Sequence, residues 1–388
     1  MFVSVDFGLD SRSSCVIDFI KYHDNRQSTR EIGKPKATSG NPVTAADWQR
    51  SAVFWQIQRA TRRWSRFRAM PVKSRPREVR PGLGQESRPA AKHSGLHLKE
   101  CRSAPPDSLF GSLIAKAAGD RGVEPRALIV RVLLELPRTA SWGGRVSERQ
   151  VTRLIQACAD RLRDEARAAA IYVPVKAFPL SQLTFEATAE ARAQPILTYL
   201  HYLRSARPGS RYFSLVDPEH GLPVALCSVS EFQWARVASQ LFRQFLIPQL
   251  QILDVSRVFA VDSAPANSIS TLLSRVRTWV RRNEPSVKLL TTAVDPNLGF
   301  TGASYRAANW KQWVTIKARP YLYERRLYVT PRQLRERYGT SRFDQLQAKF
   351  PGRFERSRSQ LLDSIIYCCR VNGETETVPP EEMRQLNR

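Results

Sequence analysis

The feature that most constrains the fold of this chain is an alternation of apolar β-like runs with helical stretches in the middle of the sequence. The β-like runs lie at residues 211–217, 223–229, 257–261, 287–294, 321–323 and 326–329. The helical stretches lie at residues 194–203, 234–245, 269–280 and 330–338. A short turn at 218–221 separates the first two runs, which predicts a hairpin. The mixed order predicts an α+β domain over residues 179–345, with helices packed around a central sheet.

The segment 295–310 contains residue types that strand or helix packing does not require. It follows the apolar run that ends at residue 294 and leads into a short helix-compatible stretch. Gly299 and Gly302 permit positive φ and a close approach of the backbone to a ligand. Asp295 and Tyr305 supply acid–base groups, and α/β proteins place their chemistry at such strand ends. We therefore interpret the segment as a functional site, and the alternative is an ordinary strand–turn–helix connection with caps.

The charge of the chain predicts a polyanionic partner. Lys and Arg number 61 against 35 Asp and Glu, a formal net charge of +26. Nucleic acid is the commonest partner of so basic a protein. An anionic membrane surface is the alternative, but no stretch approaches the ~18–20 apolar residues that span a bilayer. The first residues do not have the pattern of a signal peptide. The 6 cysteines are scattered without a Cys-x-x-Cys pair, which favours a reducing cytoplasm over disulfides or structural zinc.

Composition and periodicity predict four regions. Residues 1–105 are basic and rich in Pro, Ser and Gly, so we expect little stable structure there apart from an Arg/Trp-rich island at 48–70. Residues 106–178 have helical periodicity and a capping-box pattern that begins at Ser147. This small helical domain is either a helix-turn-helix-like DNA contact or a plain packing domain. The α+β domain occupies residues 179–345, and residues 346–388 are predicted to form a C-terminal extension.

A resemblance to known proteins rests on a series of residues between positions 196 and 310. The series comprises His201, Tyr202, Arg257, Asn267, Ser268, Asp295, Gly299, Gly302, Tyr305, Ala308, Asn309 and Trp310. In this order it resembles the phage Mom DNA-modification proteins, and the order of elements resembles the acyl-CoA N-acyltransferase (GNAT) fold. The Tyr-x-Ala-Ala-Asn-Trp ending at 305–310 and the His-Tyr-Leu element at 201–203 also resemble DruA-like proteins of anti-phage systems.

The resemblance implies modification of adenine in DNA, at the exocyclic N6, by a carbamoylmethyl-type group. Such an enzyme must reach a base that is hidden in the duplex stack, so we expect the adenine to be flipped out. The residues predicted to be catalytic are His201, Tyr202, Asp295 and Tyr305. The residues predicted to bind substrate are Arg257, Ser268, Gly299, Gly302 and Asn309.

Each of these residues also has a structural interpretation. His201 is either a general base or a hydrogen-bonded core histidine. Asp295 orients an amine, acts as a base or caps a turn, and Tyr305 donates a proton, stacks on a base or packs a helix. Arg257 pairs with Asp295, with an anionic donor, or with an exposed acid. Asn309 either recognises an adenine edge or ends a helix. Tyr202 is either catalytic or a core aromatic, and Trp310 and Trp313 are expected to pack in the core rather than to stack on a base.

The donor and the DNA contacts are predicted less completely. The loop 262–268, where acetyltransferases carry a glycine-rich pyrophosphate-binding turn, has no glycine. The cofactor is therefore unknown, and an acyl-CoA-type donor stays possible. No metal site is predicted. A basic cluster after the motif is predicted to bind the DNA backbone, and it consists of Arg319, Arg325, Arg326, Arg332 and Arg335. The alternative function is that of a non-catalytic DNA-binding subunit of a defence system.

Overall fold

The computed structural model describes residues 95–378 and 385–386. The strands are β1 (Gly95–His97), β2 (Arg145–Ser147), β3 (Thr184–Thr188), β4 (Arg211–Val216), β5 (Pro223–Glu231), β6 (Ile252–Ala260), β7 (Leu289–Val294), β8 (Lys311–Ile316), β9 (Leu322–Glu324), β10 (Leu327–Val329), β11 (Phe354–Arg356), β12 (Ser364–Arg370) and β13 (Gln385–Leu386). The helices are α1 (Leu98–Arg102), α2 (Leu109–Arg121), α3 (Pro125–Thr139), α4 (Glu148–Ala169), α5 (Glu190–Tyr199), α6 (Ala235–Phe245), α7 (Ser268–Asn283), α8 (Ala303–Ala307), α9 (Pro331–Tyr338) and α10 (Phe343–Lys349). The predicted island at 48–70 lies outside the described residues.

The centre of the fold is an eight-stranded mixed sheet with the strand order β13-β8-β12-β7-β6-β5-β4-β3. Its neighbours pair antiparallel except for β6 with β7 and β13 with β8, which are parallel. Helix α7 buries Leu272, Leu273 and Val276 against one face of this sheet. The opposite face is covered by α6, whose Leu241 and Phe245 pack near Trp313. The predicted class, an α+β domain with helices around a mixed central sheet, is confirmed.

The predicted hairpin is formed by β4 and β5. The Asp217 carboxylate accepts hydrogen bonds from the backbone N–H groups of Glu219, His220 and Leu222 at 2.7–2.9 Å. Burial opposes ionisation of Asp217, but these three donors outweigh it, so its pKa lies below the ordinary value. A charged cap therefore fixes the turn and, with it, the register of the two strands.

The first four helices form a layer whose core is continuous with the motif segment. Ser147 begins α4 with the predicted capping box, in which its side chain and that of Gln150 bond to each other's backbone N–H groups. The buried residues of this layer cluster with Leu298, Tyr321 and Tyr323, which come from the α+β part of the chain. The helices are thus part of the wall behind the motif.

Three predictions about the elements are wrong. Residues 346–388 are not a mere extension, because β12 lies inside the central sheet between β7 and β8. The runs at 321–323 and 326–329 do form strands, but in a separate three-stranded sheet with the order β10-β9-β11. His201 is not in a helix, because α5 ends at Tyr199 and His201 lies in the turn that follows. Strand β8 has no counterpart in the prediction. Each error concerns long-range pairing or an element boundary, which local patterns specify weakly.

No helix in the described part of the chain combines the length and apolar character needed to cross a membrane. The cysteines at 101, 158, 227, 368 and 369 are buried and free. Cys368 and Cys369 lie on β12, where they serve as small apolar side chains.

Candidate active site

The candidate site begins where two parallel strands separate. Strands β6 and β7 pair only from Ile252–Leu289 to Asp254–Thr291. Beyond that point β6 stays paired with β5 as far as Ala260, and β7 stays paired with β12 as far as Val294. The two halves of the sheet therefore open into a cleft between Val255–Ala260 and Thr292–Val294. Beyond Asp254 no strand of the described chain pairs with β6 on the side of β7, and the side chains of Thr292 and His201 bond to the backbone of Val255 and Val258 instead.

Thr292 lies at the apex of this cleft. Its hydroxyl donates a hydrogen bond of 2.9 Å to the carbonyl oxygen of Val255, the first β6 residue beyond the parallel pairing. The hydroxyl oxygen of Tyr305 lies 3.4 Å from Thr292 Oγ1. Helix α8 therefore directs the phenol of a motif residue to the point where the strands separate.

The environment of Tyr305 keeps its hydroxyl protonated. The ring lies between Trp310 and Tyr367, with centroid distances of 5.6 and 5.8 Å. Burial raises the pKa of Tyr305 to about 12, although the hydrogen bond with Thr292 acts in the opposite direction. A neutral phenol in this position can donate a proton or a hydrogen bond at any physiological pH.

His201 has the geometry of a structural histidine. It is 4% exposed, and its Nδ1 accepts a hydrogen bond of 3.2 Å from the backbone N–H of Leu203. Burial and the nearby cations Arg257 and Arg131 lower its pKa well below the ordinary value, against a hydrogen bond to the backbone of Val258. With these backbone bonds, His201 fixes its turn against β6. This geometry does not support the predicted role of a general base.

Tyr202 lies among the other predicted site residues. Its ring is 4.4 Å from that of His201 and 5.6 Å from that of Phe300, measured between centroids. Burial raises its pKa, and Arg257, Asp295 and Tyr305 are all near enough to influence that pKa. The structure therefore brings Tyr202, Arg257, Asp295 and Tyr305 into one neighbourhood, as the motif predicts, with Tyr202 at its centre.

Arg257 is a half-buried cation on the cleft strand. Its guanidinium donates to the carbonyl oxygens of Ser205 and Ser256, at 3.1 and 2.7 Å, and to Ser205 Oγ at 3.3 Å. It forms no ion pair with any residue in the described part of the chain, so the predicted pairings with Asp295 and with an exposed acid are both wrong there. Burial lowers its pKa, while the nearby Tyr202 and Asp254 oppose that shift. A cation without a bound acid can attract an anionic ligand group.

A buried ion pair that the sequence did not reveal supports this neighbourhood. Arg207, which is 6% exposed, donates to Asp254 Oδ2 at 2.5 Å and to the carbonyl oxygen of Glu231 at 2.7 Å. Burial raises the pKa of Asp254, and Arg207 opposes that shift. The pair ties the loop that follows the His201 turn to the last position where β6 and β7 pair in parallel. The two residues are 47 positions apart, so no local pattern identifies them.

Asp295 has the geometry of a cap. Its Oδ1 accepts hydrogen bonds from the backbone N–H and the side-chain amide of Asn297, at 2.9 and 2.8 Å. Its Oδ2 accepts a hydrogen bond from the hydroxyl of Tyr321. Because both oxygens are occupied, the geometry favours the capping interpretation over that of a base.

Packing explains why both of these motif positions are glycine. Gly302 has φ of 72°, and a Cβ there would overlap the hydroxyl end of Tyr367. Gly299 has φ of 75°, and a Cβ there would lie 3.4 Å from the carbonyl oxygen of Arg102 in α1. Both glycines therefore allow the motif to pack between β12 and the helical layer, and neither approaches the cleft through a contact of its own.

Ser268 and Asn309 also occupy structural positions. The Ser268 hydroxyl donates to the carbonyl oxygen of Pro265 at 2.6 Å, and Asn267 in the left-handed region caps α7 without a side-chain bond. Asn309 is exposed, with φ of 61°, just after α8. In the loop before α7, burial and the nearby Glu124 raise the pKa of Asp262 to about 6. That carboxyl is still mostly ionised at neutral pH.

The predicted DNA-binding arginines fall into two groups. Arg319, Arg325 and Arg326 are exposed, and the last two form the tight turn between β9 and β10 with φ of 50° and 68°. Arg332 donates to Glu336 at 2.7 Å, and Arg335 donates to Ser341 at 3.3 Å. The first group is thus more available to a phosphate backbone than the second.

The model of the Mom protein family matches residues 182–367, slightly less than half of the 388 residues. The match covers β3 to β12, including the cleft, the His201 turn and the motif. The resemblance that the residues between 196 and 310 predict is therefore confirmed, and this part of the chain is Mom-like. No protein with a curated description matches the chain.

Solved structures similar to this chain include several acetyltransferases. A putative acetyltransferase from Sphaerobacter thermophilus is 12% identical, with a TM-score of 0.27, over 50% of this chain and 98% of its own. An N-acetyltransferase from Staphylococcus aureus is 11% identical, with a TM-score of 0.29, over 49% and 99%. The spermidine N-acetyltransferase from Vibrio cholerae, in complex with CoA and spermine, is 8% identical, with a TM-score of 0.28, over 49% and 96%. These values are too low for the substrates or cofactors of those proteins to be carried over to this chain.

Proposed function

We propose that this protein is a Mom-type transferase that attaches a small acyl-derived, carbamoylmethyl-like group to the exocyclic amine of adenine in DNA. The family match over residues 182–367 supports a transferase of this general type. The observation that carries the proposal furthest is the cleft between β6 and β7 with the hydroxyl of Tyr305 at its apex. A cleft of this form can hold the donor molecule along one side and the N6 amine of adenine at the apex.

In the proposed reaction the adenine N6 attacks the reactive carbon of the donor. A bond forms between N6 and that carbon, and the bond from the carbon to the leaving group breaks. The leaving group takes up a proton from Tyr305. N6 releases one proton to solvent, and solvent returns a proton to Tyr305. Burial raises the pKa of Tyr305 to about 12, so the phenol carries its proton at neutral pH and can hydrogen-bond to the leaving group or protonate it as negative charge develops there.

The loop before α7 limits which donor molecules the site can bind. A CoA pyrophosphate needs backbone N–H groups that a glycine-rich turn exposes. This loop has no glycine, contains Pro265, and carries the carboxyl of Asp262. These residues do not fit a pyrophosphate, so the proposal assigns no role to one. Arg257 is the cation near the cleft that suits an anionic or carbonyl group of a smaller donor.

DNA as the acceptor is supported by charge. The net charge of +26 favours a polyanion, and Arg319, Arg325 and Arg326 present exposed cations beyond the motif. The adenine amine is hidden in a duplex, so the base must leave the stack to reach Tyr305. Base flipping is part of the proposal for that reason.

Mass spectrometry of nucleosides tests the proposal. The protein is co-expressed with plasmid DNA, and the DNA is digested to nucleosides. We expect a deoxyadenosine of increased mass with the wild-type protein, at a yield about 100-fold lower with the Tyr305→Phe variant. Unmodified deoxyadenosine, from a wild-type protein that is folded and binds DNA, contradicts the proposal and favours the non-catalytic DNA-binding alternative.

A further inference from the structure

The turn before α4 holds an aromatic side chain out in solvent. Trp142 is 80% exposed, and it lies in a turn closed by three hydrogen bonds of 2.9–3.1 Å that join Ser141 to Gly144 and Arg145. The backbone N–H of Leu98 donates to the carbonyl oxygen of Gly144 at 2.8 Å, and a Cβ at Gly144, whose φ is 76°, would lie 3.4 Å from the ring of His97. The turn is thus fixed to the helical layer. Exposing a tryptophan on a rigid turn forgoes burial of a large apolar side chain, which makes it a candidate contact for a partner.

The arginines beside this turn lack acidic partners. Arg145, Arg149 and Arg153 are exposed, and none forms an ion pair with any residue that the structure describes. Arg149 and Arg153 are four residues apart and lie on one face of α4. Further along the same helix, Arg161 pairs with Glu135 and Arg163 pairs with Asp160. Among the arginines of α4, Arg149 and Arg153 in the first turns and Arg167 near the other end form no ion pair with a described residue, so Arg149 and Arg153 are the two that lie beside the Trp142 turn. We call Trp142, Arg145, Arg149 and Arg153 the α4 basic end.

We propose that the α4 basic end is a second contact with duplex DNA, which fixes where the transferase domain meets its target. This inference rests on the proposed function, because it takes DNA as the partner. The first residues of an exposed helix, preceded by a tight turn, are the part that enters a major groove in helix-turn-helix proteins. Arginines in that position can contact phosphates or guanine edges, and a tryptophan at the tip can pack on the sugar–phosphate backbone.

The other end of α4 is anchored at the candidate active site. Glu165 binds both Arg131 of α3 and Arg204, and Arg204 belongs to the turn that contains His201. Arg149 and Glu165 are separated by 16 residues of one helix, which span ~24 Å at 1.5 Å per residue. One helix therefore links the α4 basic end to the turn that packs beside the candidate site.

Equilibrium binding of the full-length protein to a fluorescent DNA duplex, at several salt concentrations, tests the inference. We compare wild type with the double variant Arg149→Ala, Arg153→Ala and with Trp142→Ala. The matched control is Arg167→Ala, since Arg167 is also exposed on α4 but lies near its other end. Each lost phosphate contact lowers the slope of log affinity against log salt by about 0.9. We expect the double variant to lose about 2 units of slope and roughly tenfold in affinity, Trp142→Ala to weaken binding, and the control to match wild type.

The inference is overturned if the double variant binds the duplex with wild-type affinity and salt slope. It is also overturned if the two substitutions weaken binding to RNA or to an acidic protein but leave binding to the DNA duplex unchanged. Nucleoside mass spectrometry on the same proteins separates this test from that of the proposed function. If no adenine is modified but binding depends on Arg149 and Arg153, the DNA contact stands and the proposed chemistry fails. If adenine is modified and DNA binding does not depend on Arg149 and Arg153, the proposed chemistry stands and the DNA contact fails.

Discussion

The hydroxyl of Tyr321 donates a hydrogen bond to Oδ2 of Asp295, across 26 residues of chain. The other carboxylate oxygen of Asp295 is held by Asn297, so the acid that begins the motif is fully occupied. Burial and the neighbouring Asp295 raise the pKa of Tyr321 well above its ordinary value, so Tyr321 keeps its proton. The pair ties the motif to the segment that follows β8.

The Asp295→Ala variant is expected to lose stability. It leaves the hydroxyl of Tyr321 and the backbone N–H of Asn297 without their acceptor in a buried setting, while the side-chain amide of Asn297 keeps its bond to the carbonyl oxygen of Leu362. Each unsatisfied group costs about 1–3 kcal/mol, so we expect a loss of about 2–6 kcal/mol in the free energy of unfolding, measured with urea. Tyr321→Phe is the control, and it should cost only ~1 kcal/mol because Asp295 keeps its bonds to Asn297. An Asp295→Ala protein as stable as wild type contradicts the capping role.

The Gly302→Ala variant is expected to disrupt packing between the motif and β12. The added Cβ meets the hydroxyl end of Tyr367, and φ of 72° is unfavourable for alanine. We expect a loss of about 3 kcal/mol from overlap and backbone strain together, measured by chemical denaturation. Gly209→Ala is a matched control, because Gly209 has φ of 68° and open space around its Cβ position. It should show only the backbone cost of ~1 kcal/mol. Equal losses in the two variants would rule out the contact with Tyr367.

The Tyr305→Phe variant is expected to fold normally and to lose transfer activity by about 100-fold, the usual contribution of a positioned proton donor. Since the pKa of Tyr305 is raised to about 12, ionisation of this phenol should not reduce wild-type activity below ~pH 11. The measurement is the yield of modified deoxyadenosine across pH, with Tyr199→Phe as the control tyrosine. A Tyr305→Phe protein with wild-type yield excludes the proton-donor role.

Glu324 is expected to make stability depend on pH in the small sheet. Its carboxylate accepts hydrogen bonds from Tyr338 at 2.7 Å and from Arg353 Nε at 2.9 Å. Burial opposes ionisation of Glu324, but these donors outweigh it, so its pKa lies below the ordinary value. The stabilisation is therefore fully present above the unfolded-state pKa and is lost as pH falls through the folded-state pKa.

The variant that checks this dependence is Glu324→Gln. At pH ~7 it should be less stable than wild type by about 1–3 kcal/mol, since a charged acceptor is replaced by a neutral one. The difference should shrink as the pH is lowered below ~4, where the wild-type carboxyl takes up its proton. Urea denaturation at several pH values measures the gap. A gap that stays constant down to pH ~3 contradicts the assigned pKa direction.

The turn between β9 and β10 is expected to contact the DNA backbone. Arg325 and Arg326 are both exposed there, so the double variant Arg325→Gln, Arg326→Gln should reduce the salt slope of DNA binding by about 2. Arg332→Gln is the control, because Arg332 is paired with Glu336 on one face of α9. Fluorescence anisotropy with a DNA duplex gives both slopes. If only the control variant changes the slope, the predicted surface is wrong.

The sequence by itself determined the local features of this protein. Alternating apolar runs identified the α+β class, the turn before β5 identified the hairpin, and the pattern after Ser147 identified the capping box. The buried Trp310 and Trp313 were expected from residue type. Such features depend on neighbours within a few positions, so backbone propensity and side-chain period are enough to specify them.

Only the tertiary structure decided the composition of the candidate site. Strand β12 comes from a region predicted to be an extension, yet it lies beside β7 and brings Tyr367 against Gly302. Asp295 acts as a cap because Tyr321 donates a hydrogen bond to its second carboxylate oxygen, and Arg207 forms a buried ion pair with Asp254. These contacts join residues 26 to 81 positions apart. Their energies arise from burial and mutual hydrogen bonding, which exist only once distant strands have paired.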